Sequence, residues 1–135
     1  ALGISQLSKL NKFIKKRNYL AEVYKANLKR LPIRYQEIGI NIKSSYHLFV
    51  ILLESKLIKK SYNEIFNDLK NKKILVNKHY PCVHLQPYYK NLGFKKKMFP
   101  VAENYEKFAI SLPLSTKMSK NDVLFVIDNL KKSIE

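Results

Sequence analysis

The chain has 135 residues, 46% of them hydrophobic, and a formal net charge of +16. That length makes one domain with one packed core, and the longest wholly apolar stretch, residues 48–53, is far short of the roughly 20 residues of a helical membrane span. The charge admits two origins, a basic patch for phosphate backbones or the lysine-, asparagine- and isoleucine-rich usage of A+T-rich codons. Only Arg17, Arg30 and Arg34 are arginine among the 26 basic residues, which argues against specific nucleic-acid readout.

Leu7, Leu10, Ile14, Ala21, Tyr24 and Leu28 step by three, four or seven, so residues 2–30 are predicted as one long amphipathic helix, ended by Pro32. Residues 45–53 are short, β-branched and aromatic, which predicts a buried strand. Ser61-Tyr62-Asn63-Glu64 has capping-box spacing; the helix it opens would bury Tyr62, Ile65, Phe66 and Leu69 and stop at Asn71. A strand over residues 74–79 then completes a strand, helix, strand unit. Residues 80–99 read as a loop rich in proline and aromatics with a basic run at Lys95, Lys96 and Lys97, long enough to mark a binding segment. Pro100 suits the first turn of a helix to about residue 110, and residues 111–114 are extended. Ser119 caps a last helix with Asp122 at its third position and Val123, Val126, Ile127, Leu130 and Ile134 on its buried face. The predicted fold class is α+β, a small, mainly antiparallel sheet with helices on one face.

Three segments carry a resemblance. The first is Ala1-Leu2-Gly3-Ile4-Ser5-Gln6-Leu7, followed by Phe13 and Lys16-Arg17. The second is Ser45-Tyr46-His47-Leu48-Phe49-Val50. The third is His79-Tyr80-Pro81-Cys82-Val83-His84-Leu85-Gln86-Pro87-Tyr88-Tyr89, then Leu92-Gly93-Phe94, Phe99-Pro100-Val101-Ala102-Glu103 and Leu112-Pro113-Leu114. In order and across almost the whole chain, these resemble the small domain of the DegT/DnrJ/EryC1/StrS sugar aminotransferases, a fold-type I group dependent on pyridoxal phosphate. The third segment most resembles members that aminate a UDP-linked 4-keto-6-deoxy-hexosamine on the way to pseudaminic acid.

The resemblance implies that residues 1–32 are a helix joining a large domain and that residues 33–135 are the carboxy-terminal small domain. It also implies an intact enzyme that is a homodimer using glutamate and a UDP-sugar. The family's Schiff-base lysine, in a serine-rich stretch ending in Thr-Thr-Gly-Glu-Gly, has no counterpart in this sequence, so the chain alone is expected to hold no cofactor and to be inert. Two other readings stand beside this one, a basic nucleic-acid-binding module and a non-catalytic regulatory domain derived from the family.

By the same resemblance, His79, Tyr80, Pro81, Cys82, Val83, His84 and Gln86 would shape the sugar-nucleotide pocket, with no catalytic residue among them. Each has a plainer reading. His79 could cap its strand while Tyr80 packs, and His84 and Gln86 could be ordinary loop structure. Pro81, Pro87, Tyr88 and Tyr89 suit scaffolding, and the lysine run suits a solvated loop. Cys82 is the one cysteine, so no internal disulfide forms, and nothing near it in sequence lowers its pKa. Histidines at 47, 79 and 84 have no zinc-ligand spacing, so metal is not expected. The opening residues carry no secretory-signal pattern, which gives a cytoplasmic expectation.

Overall fold

The computed structural model describes residues 2–135, so Ala1 of the opening motif lies outside the described residues. In place of one helix over residues 2–30 there are two, α1 (Leu2–Leu7) and α2 (Leu10–Leu28). The break falls at Ser8 and Lys9, where the Ser8 hydroxyl donates to the Ser5 carbonyl at 2.8 Å and the Lys9 amide reaches back only to Gln6. A serine that bonds its own backbone offers the chain an alternative to the helical ladder. The expected apolar stripe also begins late. Leu7 and Leu10 are exposed, and burial starts at Leu20, continuing through Ala21, Tyr24 and Leu28.

Pro32 ends the helical run, and a short strand, β1 (Ile33–Tyr35), follows that the sequence reading did not anticipate. It pairs with β2 (Phe49–Leu53), which pairs in turn with β3 (Ala109–Leu112), giving an antiparallel sheet in the order β1-β2-β3. The predicted strand over residues 45–53 therefore starts four residues late. Tyr46, at φ +43°, has left the extended region. On β2, Phe49, Ile51 and Leu53 are buried and alternate with half-buried Val50 and Leu52, so one sheet face carries the core. Tyr24 of α2 stacks on Phe49 with ring centroids 4.8 Å apart and donates its hydroxyl to the Pro113 carbonyl at 2.8 Å. Burial raises its phenol well above the ordinary value.

Helix α3 (Tyr62–Asn71) begins on the expected capping box: Ser61 Oγ accepts from the Glu64 amide, and Glu64 Oε2 accepts from the Ser61 amide at 2.7 Å. Its end is a Schellman closure, with the Ile74 amide donating to Leu69 and the Lys73 amide to Lys70. Lys73 takes φ +58° there, a position glycine usually fills. This closure is why the predicted strand over residues 74–79 shrinks to a single bridge, Asn77 with Ser111. The Ile74 amide is used by the helix end and the Val76 amide by the Ile74 carbonyl, so neither can enter a ladder.

Residues 80–99 are more ordered than the long loop expected of them. A 3-10 turn (Val83–Leu85) leads into α4 (Pro87–Asn91), which has proline at its first position. Gly93, at φ +96°, closes α4 with the Phe94 amide on Tyr89 and its own on Lys90, while the Tyr89 and Phe94 rings meet at 6.0 Å. Next come α5 (Pro100–Phe108), β3, and α6 (Lys120–Ile134). The Ser119–Asp122 box caps α6, and its predicted buried face is buried in full. α6 packs on α2 and α3, and the three share one core with the sheet. α5 approaches β2, and its Tyr105 borders the opposite face beside Val50 and Leu52. The fold is α+β, with the three long helices on one face as expected.

Candidate functional site

The stretch that carries the predicted site hangs from β3. Asn77 and Ser111 exchange both backbone hydrogen bonds, at 3.1 and 2.8 Å, and two residues on His79 Nδ1 lies 2.7 Å from Ser111 Oγ. The Tyr80 ring stands perpendicular to the imidazole with centroids 4.7 Å apart. Glu106 of α5 holds the same stretch at two points: Lys78 Nζ is 3.4 Å from one oxygen, and the Cys82 amide donates to the other at 2.9 Å. The neighbouring Cys82 thiol, with that amide and Lys78, keeps Glu106 below the usual carboxylate range despite its burial. Burial and the facing Glu106 push the Cys82 thiol up to about 11, which suits an inert structural cysteine.

A second clasp holds the far end. His84 Nε2 is 3.1 Å from Glu103 Oε1, and the same oxygen accepts from the Lys97 amide at 2.7 Å and the Phe99 amide at 3.4 Å. The Phe99 ring meets the imidazole edge-on, centroids 4.9 Å apart. Burial opposes ionisation of Glu103, but the three hydrogen bonds outweigh it and hold the carboxyl below its ordinary range. Two glutamates one helical turn apart on α5, Glu103 and Glu106, thus fasten residues 78–99 to that helix. The platform is held by directional bonds to a few atoms, with little core beneath it.

The seven residues read from the sequence divide by orientation. Tyr80 (68% exposed), Val83 (61%), Pro81 and Gln86 face outward, and His79 is half-buried. Cys82 and His84 are turned inward, at 6% and 8% exposure, and support the platform from behind. Ser111, Glu103 and Glu106 received no role in the sequence reading. Their signal was faint: two carboxylates three apart on a short helix, and a serine on a strand with all four residues buried. Lys95, Lys96 and Lys97 are exposed, as a solvated loop requires. A separate open groove of about 820 Å³ is lined by Lys29, Arg34, Tyr35, Gln36 and Tyr105 beside β1 and β2. It contains no buried polar side chain, and chemistry has no evident foothold there. No group of histidine, cysteine and acidic residues placed to hold a metal occurs among the described residues, nor any helix long and apolar enough to cross a membrane.

The sequence profile of the DegT/DnrJ/EryC1/StrS aminotransferase family matches residues 1–131. A UDP-4-amino-4,6-dideoxy-N-acetyl-beta-L-altrosamine transaminase of Campylobacter jejuni is 34% identical over 137 residues, covering 100% of this chain and 36% of the relative. The sugar aminotransferase Spr1654 of Streptococcus pneumoniae, in its PMP form, superposes with a TM-score of 0.89 at 29% identity, over 98% of this chain and 33% of the other. Helicobacter pylori PseC, an aminotransferase of pseudoaminic acid biosynthesis, gives 0.88 at 27% identity, over 98% and 36%. The chain thus spans about a third of the length of the relatives it matches. Its fold is that of the small domain of fold-type I pyridoxal-phosphate-dependent transferases. The chain belongs to the DegT/DnrJ/EryC1/StrS aminotransferase family.

Proposed function

We propose that this chain is the carboxy-terminal small domain of an enzyme that moves an amino group from glutamate to the 4-keto carbon of a UDP-linked 4-keto-6-deoxy-hexosamine, in the making of a surface glycan precursor. The observation that carries the reading is the His79–Gln86 platform: polar and aromatic groups face outward on a stretch fastened at Ser111, Glu106 and Glu103. The names of the Campylobacter and Helicobacter relatives support the UDP-sugar and the pseudaminic-type product. On this reading His79, Tyr80, Pro81, Val83 and Gln86 line the sugar-nucleotide site, while Cys82 and His84 keep its wall in place. Exposed Leu2, Ile4, Leu7 and Leu10 suit a helix pair, within residues 1–32, that lies against a large domain. The working enzyme would be a cytoplasmic homodimer.

When bound, pyridoxal phosphate supplies the electron sink for amino transfer. On this reading its seat lies in the large domain. All lysines among the described residues are exposed or half-buried. No step through the cofactor is derived from this chain, and the isolated chain is expected to retain none after dialysis.

The test is direct. The full-length protein, incubated with glutamate and a UDP-4-keto-6-deoxy-hexosamine, should form 2-oxoglutarate and a UDP-amino sugar detectable by mass. Amino transfer to no nucleotide sugar, from a protein carrying its cofactor, would overturn the reading.

A further inference from the structure

Ser111 is 4% exposed, and its backbone amide and carbonyl are both used by Asn77. Its hydroxyl has one partner among the described residues, His79 Nδ1 at 2.7 Å. A hydroxyl carries one proton and must place it. If Nδ1 carried hydrogen and donated to Oγ, the serine proton would lie buried with no acceptor, an arrangement folded proteins avoid. So Ser111 donates and Nδ1 accepts, and the neutral imidazole keeps its proton on Nε2. Nε2 itself has no protein partner among the described residues. Since no buried side-chain nitrogen or oxygen among them lacks a partner, Nε2 is open to solvent.

We infer that Ser111 is a positioning residue that locks His79 in its Nε2–H tautomer, so that the outward nitrogen is a donor and selects an acceptor oxygen on its ligand. This rests on the proposed site in one respect, that the ligand is the sugar nucleotide. Its purely accepting oxygens are those of the diphosphate, the uracil carbonyls and the keto group of the sugar, whereas its ring hydroxyls can serve as either donor or acceptor. A fixed donor excludes poses in which a sugar N–H or O–H points at His79. The Tyr80 ring, perpendicular to the imidazole, bounds the approach on one side.

The tautomer can be read in the ligand-free chain, whose core is built from its own residues, by long-range nitrogen–proton correlation of His79 at about pH 8.5, where an ordinary imidazole is neutral. We expect a protonated Nε2 and an unprotonated Nδ1 in the wild type, a tautomer mixture in Ser111→Ala, and recovery in Ser111→Thr. A protonated Nδ1 in the wild type overturns the inference whether or not the variants fold, and so does an unchanged tautomer in a folded Ser111→Ala. In the full-length enzyme, Ser111→Ala should raise KM for the UDP-sugar by roughly two- to tenfold with kcat little changed, and Ser111→Thr should restore it. Competitive inhibition by UDP and by uridine, neither of which is turned over, separates the oxygen sources: weakening of both assigns the uracil carbonyls, weakening of UDP alone the diphosphate, and weakening of neither the keto-sugar's carbonyl. Unchanged kinetics in a Ser111→Ala enzyme with a scrambled tautomer would overturn the role in recognition. If His79→Ala were also kinetically silent, the site assignment would fail while the tautomer result stood.

Discussion

The core and the platform are held by different physics. Between the sheet and α2, α3 and α6, Leu20, Ile51, Ile65, Leu69, Ile127 and Leu130 are wholly buried in non-directional contact. Residues 78–99 depend on Glu103, Glu106 and Ser111, each accepting or donating at fixed atoms. A core of that kind resists substitution at many points, and its failure is global. A clasp fails locally when one atom is lost, which suits a surface that must present groups to a ligand without governing whether the domain folds.

The largest effect should come from the core. Leu130→Ala should cost about 2–5 kcal/mol in urea unfolding, because the cavity lies where α6 meets α2 and α3. A cost below about 1 kcal/mol would mean that the core is looser than its burial implies.

Glu103→Gln should leave global unfolding nearly unchanged while the Lys97 and Phe99 amides exchange with solvent at least about tenfold faster. Acid should act in the same place. The folded Glu103 and Glu106 carboxyls sit below their unfolded values, so their contribution is fully present above the ordinary glutamate pKa of about 4.3 and is lost as pH falls through the depressed folded values. Platform amides should therefore lose protection on acidification before those of α6. Simultaneous loss would erase the distinction between the two regions.

The smallest effect is a gain. Lys73 closes α3 in the left-handed region, so Lys73→Gly should stabilise the chain by about 0.5–1 kcal/mol, read as a higher urea midpoint. A loss of stability would show that the lysine side chain contributes more there than its backbone strain costs.

The same division governs what could be read from the sequence. Both capping boxes and the buried face of α6 are local, encoded by residues three or four apart, and they stand as expected. The break at Ser8 turned on one hydroxyl choosing a backbone carbonyl, and the strand over residues 74–79 was lost to a helix closure that took its amides. Pro87 and Gly93 did mark α4, but in a proline-rich segment they read equally well as loop punctuation. The sequence placed His79, Tyr80 and Gln86 on the segment that faces outward. It could not show that His84 turns inward, because the reason is Glu103, 19 residues on. Nor could it pair His79 with Ser111, 32 residues away across β3.

Steady-state kinetics of the full-length enzyme with His79→Ala test the central claim, that the platform positions the sugar nucleotide and takes no part in proton transfer. With glutamate saturating and the UDP-sugar varied, KM should rise by roughly two- to twelvefold, the loss of one neutral hydrogen bond, while kcat moves little. A large fall in kcat at unchanged KM, in a variant that still carries its cofactor, would contradict the account and place His79 in the chemistry.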